Sequence, residues 1–275
     1  MNKERPDELD AKSIVEIVLG IELEHADKDG GVDYLSTDGR HAVEITRVTD
    51  GRKRAGSKAL DTSRAAENLE GELQTCWWAF VPDTQFGLKT FLQQVHPALV
   101  ELEAAGEDQF DRTQAAMHVM RQGPLSSIYR SLLDAGVERA SAVPNHAHRR
   151  CTHSVIPGLI SGGTSSGSDR AVSLLTDLLS VKEDNPRKLR ASGRDHRHLF
   201  VWLDDDTRFD VARPLSRAAP SWHDGFGVPA TPPMLAQAIS HLWVMHEGSR
   251  LGWIWNGEAW CEISAPPRLD TNGSC

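Results

Sequence analysis

Apolar positions recur along the chain at two alternating periods. Near the start, Ile14, Val15, Val18, Leu19 and Leu23 are spaced by three or four residues and form one stripe, with Glu16, Glu22 and Glu24 off it. That spacing predicts an amphipathic helix over 8–27, broken at Asp29-Gly30-Gly31. Two β-prone segments then flank Asp38-Gly39, a hairpin signal because the turn takes residues of positive φ. Strands are predicted at 32–37 and 40–48. A helix is expected over 57–71, and a buried strand over 75–81 (Thr-Cys-Trp-Trp-Ala-Phe-Val), ended by Pro82. An amphipathic helix should follow over 86–105, with Phe91, Val95, Leu99 and Leu102 on one side. One or two more are expected over 112–135, interrupted at Gly123-Pro124. Residues 161–168 are a flexible loop by composition. Helical periodicity returns over 170–191, and His198-Leu199-Phe200-Val201-Trp202-Leu203 reads as a second buried strand. After a Pro- and Gly-rich loop over 214–233, a short helix running into a strand is expected over 235–245, then a hairpin over 251–263 about Asn256-Gly257.

Strands alternating with helices predict an α/β fold, with a mixed central sheet flanked by helices. The chain reads as a single domain over 1–275, with a core at about 8–82, elaborations over 83–265 and a frayed tail at 266–275. The strand residues Trp77, Trp78, Trp202 and Trp243 are expected in the core; Trp255 and Trp260 flank a turn and are candidates for exposure.

Composition narrows the function classes. Hydrophobic residues make up 39% and charged residues 25%, a globular balance. The absence of an apolar run of about eighteen residues argues against a membrane span. With no apolar signal region and four scattered cysteines (Cys76, Cys151, Cys261, Cys275), a reduced, cytoplasmic protein is expected. The net charge of −9 is unlike that of a basic nucleic-acid coat protein, but a local cleft matters more than the sum. The chain has no GxxxxGK[ST], GxGxxG or GxSxG string, so NTPase, dinucleotide-binding and α/β-hydrolase readings lack support.

The chemistry lies in the first hairpin. Asp33 stands near the start of one strand and Glu44 in the middle of the next, so a tight hairpin brings the two carboxylates onto one face. Glu44 and Thr46 share that face, while Val43 and Ile45 point away. A carboxylate among apolar β-branched neighbours is costly to bury unpaired. A hard cation such as Mg²⁺, with Mn²⁺ as substitute, is a natural compensator. The plain alternative is a strand-capping Asp33 and a Glu44 paired with Arg40 or Arg47 on a solvated face.

This order of helix, strand with Asp, hairpin, strand with Glu-x-Thr, then helix and strand resembles the restriction-endonuclease-like superfamily of PD-(D/E)xK nucleases over roughly residues 8–82. The resemblance implies a metal-dependent endonuclease that hydrolyses DNA, with a homodimer and a part in defence against foreign DNA as the partner and role that go with it. It implies that Asp33, Glu44 and the Ile45 carbonyl hold the metal, that Glu16 corresponds to the first-helix Glu of some members, and that Thr46 lines the site. Two positions depart from the pattern: Val32 stands where the family has Pro, and Thr46 where it has Lys. The missing cation is sought in Lys53 or Lys58, with Lys188 a further candidate, placed one helical turn from Asn185. A catalytically inactive module of the same fold, binding nucleic acid or a protein partner, is the second reading. An unrelated α/β protein with the two acids in open solvent is the third.

Two basic runs are candidate phosphate contacts: Arg47, Arg52, Lys53, Arg54, Lys58 and Arg64, and then Arg187, Lys188, Arg190, Arg194 and Arg197. His146, His148, Cys151 and His153 offer zinc-type ligands, but two intervening arginines and the lack of a paired ligand set favour a polar loop.

Overall fold

The computed structural model describes residues 3–27, 30–65, 72–82, 84–143, 153–160, 167–216 and 226–266. The chain is mixed α/β and divides into two compact units, Met1–Thr49 with Gly163–Cys275, and Asp50–Gly162. The boundary between the units, at Thr49 and Asp50, cuts through the stretch 8–82 that the resemblance covers.

The first unit opens with α1 (Pro6–Leu19). Pro6 has no N–H to leave unpaired in the first turn, and Glu8 reaches back to the Arg5 backbone N–H to close a capping box. Gly20, at φ 65°, ends the helix in the left-handed conformation. The helix is therefore shorter than the predicted 8–27, and Leu23 starts a strand instead. The strands β1 (Leu23–His25), β2 (Tyr34–Ser36) and β3 (His41–Val48) pair antiparallel in order. In the turn between β2 and β3, Gly39 has φ 75°, while Asp38 keeps negative φ and accepts hydrogen bonds from Ser36 Oγ and the Arg40 N–H. The turn therefore needs left-handed backbone at one residue, not at two.

After the second unit the chain returns through α6 (Ser168–Ser180) and α7 (Asp184–Ala191) to β8 (His196–Leu203), which lies parallel to β3. The short helix α8 (Phe209–Ala212) follows. Then β9 (His241–His246) pairs parallel to β8, and β10 (Leu251–Trp255) with β11 (Trp260–Ser264) closes the sheet by a hairpin. The seven strands stand in the order β1-β2-β3-β8-β9-β10-β11. No helix precedes β9 over 235–240, where the chain makes a turn, so the expected short helix is corrected.

The strand β8 has parallel neighbours on both sides, and its residues from His198 to Leu203 are all buried, which is why it reads as a continuous apolar run. One face of the sheet packs Ala42, Leu199, Val201 and Val244 against Val172, Leu175 and Leu189 of α6 and α7. The other packs Val43, Ile45, Phe200, Trp202 and Trp243 against Ala11, Ile14 and Val15 of α1.

The second unit contains α2 (Gly51–Ala65), β4 (Cys76–Pro82), α3 (Phe91–Ala104), β5 (Gln109–Asp111), α4 (Arg112–Met120), α5 (Ser126–Asp134), β6 (Arg139–Val143) and β7 (Val155–Ile160), with a sheet ordered β5-β6-β4-β7. Its own core gathers Trp77, Val81, Phe91, Val95, Leu99, Leu102 and Leu132. The helix α2 starts at Gly51, six residues before the predicted start, because Asp50 Oδ1 accepts the Arg52 N–H. Trp77 is fully buried, but Trp78 is 45% exposed and does not join the core. Strand alternation turns it to the opposite face of β4. Trp202 and Trp243 are buried as expected; Trp260, a candidate for exposure, is buried instead, and its Nε1 donates to the Thr231 carbonyl.

Candidate active site

The β2–β3 register, Tyr34 on Val43 and Leu35 on Ala42, sets Asp33 level with Glu44. Pairing stops at Tyr34, so the Ile45 N–H donates to Asp33 Oδ2, at 2.6 Å, instead of to a backbone carbonyl. In an extended strand the N–H and C=O of one residue point to the same side, which turns the Ile45 carbonyl toward Asp33 as well. Asp33 is 5% exposed and Glu44 3%. Neither acid points into open solvent, and Glu44 pairs with neither Arg40 nor Arg47.

Burial pushes the Asp33 carboxyl up to about 6, against the pull of the Ile45 N–H. Burial and the adjacent Asp33 charge push Glu44 up to about 8, against the pull of Lys188. Lys188, on α7, donates to Glu44 Oε1 at 2.9 Å and lies 3.8 Å from Asp184. Burial lowers the Lys188 pKa, but the bond to Glu44 outweighs it and leaves the value raised. Glu44 Oε2 is buried and has no hydrogen-bond partner among the described residues, and the same holds for Asn185 Nδ2, on the same helix as Lys188. An unpaired buried carboxylate oxygen is costly, and its presence next to a second carboxylate fits a bound cation.

Thr46 points to the same face as Glu44. Its Oγ1 accepts from Lys182 Nζ at 3.1 Å, and the same ammonium donates to the Arg47 carbonyl at 2.7 Å. Burial lowers the Lys182 pKa. A cation thus stands at Thr46, supplied by the α6–α7 connection. Sequence spacing gave no signal for Lys182, because it is 136 residues from Thr46 in the chain.

Other expected members are placed elsewhere. Glu16 accepts the Leu23 N–H at 2.8 Å and lies 3.9 Å from Lys12, so it ties α1 to β1. The α1 acid whose charge acts on Asp33 is Glu8, which is buried and held by Arg5. Lys53 and Lys58 lie on α2, in the second unit. The lysines that the first unit itself brings to β3 are Lys188 and Lys182. In the basic runs, Arg47 is engaged by Asp7, Asp204 and Glu247, Arg187 by Asp184, and Arg194 by the Gly39 carbonyl. His146, His148 and Cys151 lie outside the described residues, and His153 Nδ1 stands 3.6 Å from Cys76 Sγ. Among the described residues no three His, Cys, Asp or Glu side chains are grouped so as to hold a metal. No described helix is long and apolar enough to cross a membrane.

Compared with models of protein families, with curated proteins and with solved structures, the chain matches none.

Proposed function

We propose that the unit containing Asp33 and Glu44 is a metal-dependent phosphodiesterase that hydrolyses DNA, of the restriction-endonuclease-like kind. The observation that carries this reading is the buried pair itself: two level carboxylates, each held above its ordinary pKa, with one oxygen of Glu44 left without a partner. The order of a helix, a strand entered from Asp33, a hairpin and a strand with Glu-x-Thr supports it, while the helix and strand that follow in the chain belong to the other unit.

Asp33, Glu44 and the Ile45 carbonyl would hold Mg²⁺ or Mn²⁺, which supplies an acidified water and neutralises charge developing at phosphorus. The chain's own residues do the rest. The Ile45 N–H orients Asp33, and Lys188 holds Glu44 Oε1 while Oε2 keeps no hydrogen-bond partner among the described residues. Lys182, with Thr46 as its anchor, places a positive charge where the family has its own lysine. A second reading, an inactive module of the same fold that binds nucleic acid or a protein, is favoured by one observation. The Lys188 charge is already taken up by Glu44 and Asp184.

The test is cleavage of linear, circular and single-stranded DNA with Mg²⁺ or Mn²⁺. Metal-dependent cleavage is expected from the wild type, lost in Glu44→Gln and strongly reduced in Lys182→Ala. Absence of cleavage from a folded wild type on every substrate would leave the binding module.

A further inference from the structure

Four histidines meet at one end of the parallel part of the seven-stranded sheet. His41 begins β3, His196 and His198 lie at the start of β8, and His241 begins β9. Register sets His41 beside His196 and His198 beside His241. Alternation puts all four rings on the face of Val43, Phe200 and Trp243, opposite to the face of Glu44. Ring centroids are 4.6 Å apart for His41 and His196, 5.2 Å for His41 and His198, 4.3 Å for His198 and His241, and 5.5 Å for His196 and His241.

The hydrogen bonds assign the proton on the central ring. An indole N–H only donates, so Trp243 Nε1, 3.1 Å away, makes His198 Nδ1 an acceptor. A neutral His198 then carries its proton on Nε2 and donates it to His41 Nδ1 at 2.9 Å. Both nitrogens of this ring, which is 1% exposed, are thereby used in the neutral form. Protonating Nδ1 would set one donor against another in a buried place. His241 Nδ1 stands 2.8 Å from Ser240 Oγ.

The charged and titratable surroundings offer little to compensate a proton. His198 faces His241, His41 and His196, while His241 faces His196 and His41. His41 faces His196, with Asp38 and Arg40 of opposite sign beside it. No carboxylate hydrogen-bonds any of the four rings among the described residues.

We propose that this histidine layer is an acid-sensitive latch, closed while its rings are neutral, whose protonation from solvent opens the β3, β8 and β9 ends of the sheet. The sign follows from the direction of the shifts. Burial and the neighbouring rings lower His41, His198 and His241 below the usual histidine value of 6.5, with His241 at about 4. The closed form therefore binds fewer protons than the open one. The latch is at full strength above pH 6.5 and weakens as pH falls below it. Because β3 also carries Glu44, opening would disperse the acid pair. The latch itself does not depend on what that pair does.

The experiment is amide hydrogen exchange by mass spectrometry on the full chain between pH 7.5 and 5, corrected for intrinsic rates, for the wild type, His41→Gln, His241→Gln and the double variant. In the wild type, opening at the β3, β8 and β9 starts is expected to rise by about tenfold per pH unit for each ring that charges, ahead of β10 and of the 50–162 unit. Each substitution should remove about one proton from that slope. An unchanged slope in the double variant, or exchange rising evenly along the chain, would overturn the proposal. If the variants do not fold, imidazole ¹⁵N shifts of the wild type decide. His198 neutral, protonated on Nε2, while the strands stay closed is expected; a charged His198 in the closed form overturns the latch.

Discussion

At the residue scale, Glu44 and Lys188 set the behaviour of the candidate site. Glu44 ionises at about 4.5 when free and at about 8 in the metal-free fold. The folded state therefore holds a proton that the unfolded chain has lost, and stability declines as pH rises from about 4.5 through 8. Asp33 acts in the same sense up to about 6. The histidine layer acts oppositely, but only below 6.5, so between 6.5 and 8 Glu44 is the group of these that titrates. The melting temperature of metal-free protein is expected to fall across that interval, and Glu44→Gln to flatten the fall. Divalent metal should raise the melting temperature most at the alkaline end, since binding displaces the proton. Thermal unfolding at a series of pH values, with and without Mg²⁺, checks all three outcomes. Lys188→Met is expected to steepen the dependence, because the lysine is what partly offsets the Glu44 charge.

At the scale of elements, the hairpin between β2 and β3 determines whether Asp33 and Glu44 meet. Gly39 sits at φ 75°, where a side chain is strained, and an added Cβ would stand 3.3 Å from Arg194 Nη1, a group bonded to the Gly39 carbonyl. Gly39→Val is expected to cost roughly 1–2 kcal/mol, read by denaturant unfolding, and to weaken metal binding by loosening the register. The helices contribute by what they bring to the strands. α7 delivers Lys188 to Glu44, the α6–α7 connection delivers Lys182 to Thr46, and the first turn of α1 places Glu8 where its charge acts on Asp33.

At the scale of the molecule, each unit has its own sheet and its own core. Leu99 is fully buried in the core of the 50–162 unit. Its replacement by alanine is expected to destabilise that unit by about 2–5 kcal/mol. Calorimetry should then show one transition lowered, while the metal-induced rise of the other, set by Asp33 and Glu44, persists. A single transition in which both properties change together would mean that the units unfold as one.

What the sequence determined by itself is local in origin. Period and turn chemistry placed β3, β8 and the terminal hairpin, because a strand buried between parallel neighbours is a continuous apolar run and an Asn-Gly or Asp-Gly pair stops a strand in any context. Asp33 and Glu44 were legible for the same reason, being joined by a hairpin of ten residues. Tertiary structure decided the rest. Residue spacing carries no information about which distant lysine reaches a strand: Lys188 and Lys182 arrive from 144 and 136 residues away, while Lys53 and Lys58, nearer in sequence, belong to the other unit. Glu16 is taken up by the Leu23 N–H at the start of β1, and the α1 acid whose negative charge raises Asp33 is Glu8. The histidine layer was invisible for the same physical reason, since its four rings come from three strands that only the sheet's crossovers set side by side.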